Sequence, residues 1–408
     1  MAIDRRRLIQ RSCLTAGAFA TRPLWAATGI FRNAHEARTE TPRDTILVLV
    51  ELAGGNDGLN TIVPFADPTY RAARTRIGLA GSQLLPIDAG TGMHPSLSNL
   101  HGYLDAGKLA VVQSVGYPGP DLSHFRSDDI WEKASLAPET EATGWLGRAL
   151  DQIYEQDPDR IHSISTSSVS VGGDLSAFYS SKVATPVVTD VGSFNYPPYP
   201  APPEVLRTIL RPGGSPNREY AAAIGNLALS DADAVQAAAA SYTSTVSYPH
   251  GPVAAAFRLT SMVIAADLGA RIFFISQGGY DTHSTQLGDH EKLLRELDQS
   301  LDAFYRDLVE HGQDQRVVIM TYSEFGRRVE DNASGGTDHG SAAPLFVLGS
   351  RVRGGFYGDP PSLTDLDPDG NLKFSIDFRE VYASVLANWI DADPVPILYG
   401  NYPTLSFL

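Results

Sequence analysis

The sequence predicts an α/β domain with a mostly parallel central sheet and helices on both faces. Short, continuous apolar runs recur along the chain, as in "TILVLVELA", and such runs are typical of strands buried on both faces of a sheet. Segments with helical spacing of apolar residues lie between these runs. Strands that alternate with helices in this way indicate a doubly wound domain.

Five apolar runs are predicted strands. The first, Ile46 to Val50, breaks at Gly54-Gly55, and the others lie in 108–120, 270–279, 315–326 and 343–350. Three helices are predicted between them, in 94–107, 251–269 and 289–312. Asp289 is the predicted N-cap of the last helix, which makes His290 an exposed first-turn residue or a reserve metal ligand.

Residues 44–408 are expected to form one domain, preceded by a linker at 28–43. Residues 185–250 interrupt the strand–helix rhythm. This stretch begins Pro-rich, becomes Ala-rich, and is predicted to be an excursion that ends in a helical cap over the sheet.

Residues 1–27 resemble a twin-arginine (Tat) export signal. Arg5-Arg6-Arg7 precedes a weakly apolar stretch that is too short to span a bilayer. This pattern predicts passage through the Tat export machinery and a periplasmic or secreted location. A basic, frayed N-terminus is the alternative. Cys13, the only cysteine, lies in this segment, so the exported chain would have no disulfide.

Charge excludes one class of partner. The formal net charge is −15, and removing residues 1–27, which carry five Arg and one Asp, makes it −19. A protein with this much negative charge repels phosphate backbones, and nucleic-acid binding is therefore not expected. No segment is long and apolar enough to predict a transmembrane span.

Polar side chains follow the predicted strands where a parallel sheet collects its functional groups. These clusters are Asn56-Asp57, Ser123-His124, Asp281 with His283, Glu324, and Thr337-Asp338-His339. Carboxylate oxygens and imidazole nitrogens are ligands of divalent ions, so one or more of Zn, Mn or Ca is the expected cofactor. No nucleophile elbow, phosphate loop, dinucleotide fingerprint or H-E-x-x-H motif competes with this interpretation.

Simpler roles remain open for some of these residues. Asp57 lies in "GGNDGLN" and could be the polar residue of an ordinary turn. Arg327-Arg328 could be a solvated pair, or, beside Glu324, could bind an anion.

Four segments resemble the successive motifs of one family. They are "VELAGGNDGLNTIVP", "SVGYPGPDLSHFRSDDIW", "GGYDTHSTQ" and "SEFGRR" with "GGTDHG". They are similar to the mostly Tat-exported bacterial family called domain of unknown function 1501 (DUF1501), from about Thr45 to the C-terminus. That family is similar in turn to the alkaline phosphatase and sulfatase superfamily.

The resemblance implies a hydroxyl nucleophile and two metal positions, or one metal as in sulfatases. The superfamily's aspartate after the first strand matches Asp57. The superfamily's nucleophile maps near Ser123, with Ser127 as a rival, and Glu324 takes the place of an aspartate at the end of a later strand. Phe325 replaces a histidine ligand. Asp281 and His283 are closer in sequence than the superfamily's corresponding pair.

The predicted function is a metal-dependent hydrolase of phosphate or sulfate esters, acting on a small-molecule or carbohydrate ester. Asp281, His283 and His339 would hold one ion, while Asp57 and Glu324, with Asp338, would hold or orient a second. Ser123 or a bound water would attack. Arg126 or Arg327 would contact the anion, and His124 would protonate the leaving group.

Two alternatives belong to other classes. The chain could be a catalytically degenerate, exported binding or assembly protein on the same scaffold, which the Phe325 replacement would favour. A metal-free serine esterase is disfavoured, because Ser123 and His124 are adjacent and adjacent side chains seldom face each other.

Overall fold

The structure is a computed structural model. It describes residues 45–156, 162–165, 176–183 and 233–408, together with single residues at 185, 205, 208, 211, 215, 218 and 222. The predictions for the signal at 1–27, the linker at 28–43 and most of the excursion at 185–250 lie outside the described residues. The described end of the excursion is helical at 233–241, as the Ala-rich pattern predicts.

A mixed sheet organises the described part of the chain. Its strands are β1 Ile46–Ala53, β5 Leu109–Gly116, β6 His162–Ser165, β7 Ala270–Gly278, β8 Val317–Tyr322, β9 Ala343–Leu348, β10 Gly355–Tyr357 and β11 Ile376–Asp377. In the sheet they lie in the order β10-β5-β9-β8-β1-β7-β6, and β11 also pairs with β5. Pairing is parallel except where β9 lies antiparallel to β5 and β8. The predicted fold class is confirmed.

Helices cover both faces of this sheet. Besides the helical stretch 233–241, the described residues form the helices α1 Gly58–Thr61, α2 Pro68–Ala73, α3 Ser98–Asp105, α4 His124–Lys133, α5 Trp145–Gln156, α6 Pro252–Ala265, α7 Gln286–Glu310, α8 Phe378–Val385 and α9 Pro394–Leu398. A small antiparallel sheet of β2 Ile62–Val63, β3 Leu85–Pro86 and β4 Gly92–Met93 lies to one side. None of the helices in the described ranges combines the length and the apolar character needed to cross a membrane.

The two faces of β1 show why its sequence is continuously apolar. Leu47 and Leu49 pack into one core with α4, α5 and α8, whereas Ile46, Val48 and Val50 pack into the other with α6 and α7. Successive side chains of a strand point to opposite faces, so a strand covered on both sides needs an apolar residue at every position.

The predicted start of α7 is wrong by one turn. The helix begins at Gln286, not His290, and its N-cap is Thr285 in a left-handed conformation with φ 51°. Asp289 is therefore a first-turn residue that accepts a hydrogen bond from the Thr285 hydroxyl (2.6 Å), not the cap. His290 is not exposed: it is 2% accessible and its Nε2 lies 2.8 Å from Asn56 Oδ1.

The burial of His290 predicts a loss of stability in acid. Burial lowers the pKa of His290 from 6.5 to about 3, and burial also lowers that of the neighbouring His94 to about 4. Because the unfolded chain binds these protons below pH 6.5 and the folded chain does not, their contribution is present above that pH and is lost as the pH falls. Each group then lowers the free energy of unfolding by about 1.4 kcal/mol for each unit by which the pH falls.

Urea unfolding of the wild type and of His290→Gln between pH 7 and pH 4.5 checks this. We expect the variant to have a shallower decline in unfolding free energy with falling pH than the wild type. His250→Gln, which alters an exposed histidine, is the matched control and should keep the wild-type slope. Equal slopes for all three proteins would contradict the buried, neutral state of His290.

Candidate metal centre

The carboxyl ends of three neighbouring strands bring the predicted polar segments together. β1 leads into Gly54–Asp57, β7 into Asp281 and His283, and β8 into Glu324, and these strands are adjacent in the sheet. Gly54 permits the close approach of two loops, because a Cβ on it would lie 2.4 Å from the Asp281 backbone nitrogen. An isolated antiparallel bridge between Arg327 and His339 holds the loop that carries His339 at the same edge of the sheet.

Three ligand atoms form a tight triangle at this edge. Asp281 Oδ1 lies 3.0 Å from His283 Nε2 and 3.0 Å from His339 Nε2, and the two imidazole nitrogens lie 3.0 Å apart. Three ligands bound tetrahedrally to zinc at about 2.0–2.1 Å are separated by about 3.3 Å. The triangle therefore has nearly the size that a small divalent cation requires.

The hydrogen bonds on the far side of each ring determine which nitrogen carries the proton. His339 Nδ1 lies 2.8 Å from the Leu122 carbonyl oxygen, which can only accept, so Nδ1 is the donor. His283 Nδ1 faces Asp338 Oδ1 at 3.3 Å, and a carboxylate also accepts. In their neutral forms both rings therefore direct an Nε2 lone pair toward Asp281.

Two imidazole lone pairs and a carboxylate oxygen thus meet without a hydrogen between them. Such an arrangement is repulsive until a cation or an added proton lies among the three atoms. A histidine ligand that donates its other N–H to a carboxylate or carbonyl is the usual form of a metal site. The donor set fits a divalent cation held by Asp281, His283 and His339.

His124 adds a third imidazole beside the triangle, which the sequence does not predict as a metal ligand. Its Nδ1 lies 2.8 Å from Glu324 Oε1 and its Nε2 lies 3.5 Å from Asp281 Oδ2. One ligand atom each from His124, Asp281 and His339 lie within 4.8 Å of one another. The ring of Phe325 packs against both His124 and His339, with centroids 4.9 and 4.5 Å away, and forms an apolar floor.

Charge at Asp281 is set by the groups around it. Partial burial acts to raise its pKa, but the hydrogen bond and the charge of Arg327 prevail and lower the pKa to about 2. The carboxylate is therefore ionised throughout the neutral range. Its side chain is 46% exposed, so a ligand can reach it from solvent.

Asp57 lies in a different set of contacts from the one that the sequence predicts. Its carboxylate caps α1 by accepting from the Leu59 and Asn60 backbone N–H groups, and it also binds Arg74 and Gln286 side chains. The charge of Arg74, against burial, lowers the pKa of Asp57. The structure does not bring Asp57 into the triangle, and its carboxylate lies at the N-terminus of α1 beside Arg74.

Glu324 and Asp338 also stand behind the triangle instead of within it. Glu324 accepts from the Gly54 and Gly55 backbone N–H groups at 2.7 and 3.2 Å and holds His124. Asp338 holds His283 and accepts from Asn332 Nδ2 at 3.2 Å. Both carboxylates contact histidines of the site, and the prediction that they hold or orient a second ion stays a prediction.

The two arginines predicted to contact an anion are committed elsewhere. Arg126 pairs with Glu139 on the surface and donates to the Leu136 carbonyl. The Arg327 side chain is 0% exposed and donates to Asp281 and to four backbone carbonyls. Burial places Arg327 out of reach of a bound substrate, and its guanidinium joins the loops of the site instead.

The two candidate serines differ in access. Ser127, the rival nucleophile, is 0% exposed and its hydroxyl bonds to the Glu324 carbonyl and to Tyr117. Ser123 is the exposed N-cap residue of α4, and its side chain caps none of the helix N–H groups. Only Ser123 of these two is accessible to a substrate.

Two parts of the site carry no local sequence signal. Gln286 binds Asp57 and accepts from the Thr337 hydroxyl at 2.7 Å, which links α7 to the loop that bears His339. Leu122 acts through its carbonyl oxygen alone. His124 is marked in the sequence, because it follows the second long strand as the other polar clusters follow theirs. Its partner Glu324 is 200 residues away, and nothing local indicates that contact.

Comparison with known proteins gives a family match and a set of distantly similar solved structures. Residues 225–388 match the family model described as "Protein of unknown function (DUF1501)". No curated protein matches the chain.

Three of the solved structures that are similar to this chain are described here by their identity, TM-score and coverage. The C-terminal periplasmic domain of EcEptC from Escherichia coli, in complex with Zn, has 8% identity and TM-score 0.38, over 75% of this chain and 73% of that one. A protein in the alkaline phosphatase superfamily from Vibrio parahaemolyticus has 9% identity and TM-score 0.36, over 87% and 71%. The phosphonate monoester hydrolase SpPMH from Silicibacter pomeroyi has 9% identity and TM-score 0.38, over 88% and 75%.

The matched segment contains the triangle of Asp281, His283 and His339 and two of the motifs, "GGYDTHSTQ" and "SEFGRR" with "GGTDHG". The similarity to DUF1501 is thus confirmed through residues 225–388 of this chain.

Proposed function

We propose that the protein is a divalent-metal-dependent hydrolase of phosphate or sulfate esters that is exported from the cytoplasm. The observation that carries the proposal is the convergence of Asp281 Oδ1, His283 Nε2 and His339 Nε2 at 3.0 Å from one another. The twin-arginine pattern at Arg5-Arg6-Arg7 supports export.

The three residues of the triangle would hold the metal. When bound, a divalent cation supplies positive charge that offsets the charge of the ester oxygens and of an attacking group. Three protein ligands leave a coordination position open, which is typical of catalytic sites and not of structural ones. The side chains of Asp281 and His283 are 46% and 44% exposed, so a substrate could reach a metal held by them.

The N-terminus of α4 supplies a second attraction for an anion. The helix gives no partner to its first N–H groups, and Ser123 caps none of them. Leu122 touches His339, and His124, the first residue of the helix, faces Asp281, so this end of α4 adjoins the triangle. A tetrahedral anion is favoured at a helix N-terminus beside a cation, which suits a phosphate or sulfate ester in an otherwise acidic protein.

The chain's own residues then divide the work. Asp338 and the Leu122 carbonyl hold His283 and His339 with their Nε2 lone pairs toward the cation. Arg327 balances part of the charge of Asp281 and keeps its loop against Gly54 and Gly55. The attacking group comes from the α4 end, where Ser123 and His124 are both accessible.

Metal content and turnover of the purified protein test this proposal. After dialysis against zinc or manganese, we expect one firmly bound ion per chain and hydrolysis of p-nitrophenyl phosphate or p-nitrophenyl sulfate. The His339→Ala variant should lose both, whereas His250→Gln should keep both. A wild type that binds no divalent ion would overturn the proposal, and one that binds the ion without hydrolysing any ester would favour an exported binding protein.

A further inference from the structure

Phe125 is the most exposed large apolar side chain in the described part of the chain. It is 88% exposed, whereas the next such side chain, Tyr399, is 53% exposed. The other apolar residues of α4, Ile130 and Trp131, are each 3% exposed and pack into the core. The helix therefore turns its apolar residues toward the sheet except at Phe125, whose ring lies almost wholly in solvent.

The Phe125 ring lies at the end of α4 that adjoins the metal triangle. Phe125 is the second residue of the helix, and helix side chains lean toward the N-terminus, so its ring leans toward this end. Just before the helix, the Leu122 carbonyl oxygen is 2.8 Å from His339 Nδ1. In the first turn, His124 Nε2 is 3.5 Å from Asp281 Oδ2. A single exposed apolar residue is ordinary on a protein surface, but this one stands at the rim of the proposed site.

The backbone of the same residue faces the anion position. The first backbone hydrogen bond of this turn runs from the Ser127 N–H to the Ser123 carbonyl oxygen, so the Phe125 N–H has no partner within the helix. Free N–H groups at a helix N-terminus attract the oxygens of a phosphate or sulfate group. The alcohol part of a bound ester then lies next to this position, and Phe125 contributes the side chain there.

Neither of two neighbouring side chains can take over this contact. Phe325 is 1% exposed, and its ring packs against the rings of His124 and His339. Arg126, the next residue of α4, is turned toward Glu139. Phe125 is thus the exposed aromatic ring that α4 offers to the organic group of an ester.

We propose that Phe125 holds the alcohol part of the substrate, and that the substrate is an ester of an aromatic alcohol; this rests on the proposed function. The aromatic ring of the alcohol stacks on the Phe125 ring or meets it edge to face, which are the two favoured arrangements of aromatic pairs. The contact sets the preference among substrates and takes no part in bond breaking. An ester of a short-chain alcohol has no ring to pack there and gains little from Phe125.

Non-hydrolysable phosphonates test this contact without turnover. Phenylphosphonate and methylphosphonate share one anionic group and differ in the ring, and isothermal titration calorimetry of the zinc- or manganese-loaded protein measures the affinity for each. We expect the wild type to bind phenylphosphonate about tenfold more tightly than methylphosphonate, and Phe125→Ala to lose most of this preference. In turnover, Phe125→Ala should raise KM for p-nitrophenyl phosphate by about tenfold.

Phe356→Ala is the matched control, because Phe356 is 37% exposed and lies on the terminal strand β10 of the sheet. It should keep the wild-type preference. Because Phe125 is almost fully exposed, its replacement should leave the fold and the metal content unchanged.

In an active, metal-bound protein, equal wild-type affinities for the two phosphonates, or an unchanged preference in Phe125→Ala, would overturn the assignment of Phe125 and leave the hydrolase proposal intact. A dimeric wild type that becomes monomeric in Phe125→Ala, with no preference between the phosphonates, would assign the ring to self-association instead. A metal-free, inactive wild type would overturn the proposed function and this assignment with it.

Discussion

Asp281→Asn is expected to abolish metal binding and ester hydrolysis together. Asp281 Oδ1 is the corner of the triangle shared by His283 and His339, and it supplies the only negative charge among the three ligands. The amide keeps the shape of the side chain but removes that charge. We expect the affinity for the metal to fall by more than about 100-fold. This exceeds the loss that is typical when a residue that only hydrogen-bonds to a metal ligand is replaced.

Equilibrium dialysis with zinc or manganese, followed by elemental analysis, measures this loss. Asp289→Asn is the matched control, because Asp289 is a nearby aspartate whose contacts are Thr285 and Lys292 on its own helix and loop. The control should bind metal as the wild type does. Wild-type metal content in Asp281→Asn would show that the ion, if any, lies elsewhere.

Arg327→Met should cause the largest loss of stability of any single change at the site. The buried guanidinium donates to the carbonyl groups of Gly54, Gly55, Tyr280 and Thr337 and to Asp281. Methionine fills similar space but leaves these buried acceptors without a donor, and each such loss costs about 1–3 kcal/mol. Because some loops will relax, we expect a total loss in unfolding free energy of about 3–5 kcal/mol.

Denaturant unfolding without added metal isolates this effect from metal binding. Arg328→Met is the neighbouring control, since Arg328 is only half-buried. It should change the unfolding free energy by less than about 1 kcal/mol. Similar values for the two variants would mean that the contacts of Arg327 do not hold the loops together.

The fold was accessible from the sequence because burial on both faces leaves a direct signature. The run Ile46–Val50 serves two cores at once, so no polar residue interrupts it. The edge of the sheet that holds the site was also predictable. Polar residues that directly follow buried parallel strands lie at the carboxyl end of the sheet, and Asp281 and Glu324 are among them.

The roles of individual carboxylates were not accessible, because each depends on a partner that the chain brings from elsewhere. Asp57 is engaged by Arg74 and Gln286, and nothing local marks either residue as its partner. Glu324 and Asp338 follow strands or glycine-rich loops as ligands do, yet each accepts N–H groups from one side and orients a histidine on the other.

Adjacent arginines illustrate the same limit. Arg327 and Arg328 are equivalent in sequence, but the bridge between Arg327 and His339 turns the first inward and leaves the second half-buried. The start of α7 depends on Thr285 adopting a left-handed conformation, which no propensity favours for a β-branched residue. Both outcomes are set by tertiary contacts.

The X-ray absorption spectrum of the zinc-loaded protein reports directly on the ligands of the ion. We expect one zinc ion per chain, with two imidazole nitrogens and a carboxylate oxygen at about 2.0–2.1 Å, and loss of imidazole scattering in a His283→Ala, His339→Ala double variant. A spectrum without imidazole ligands, or one unchanged in the double variant, would contradict it.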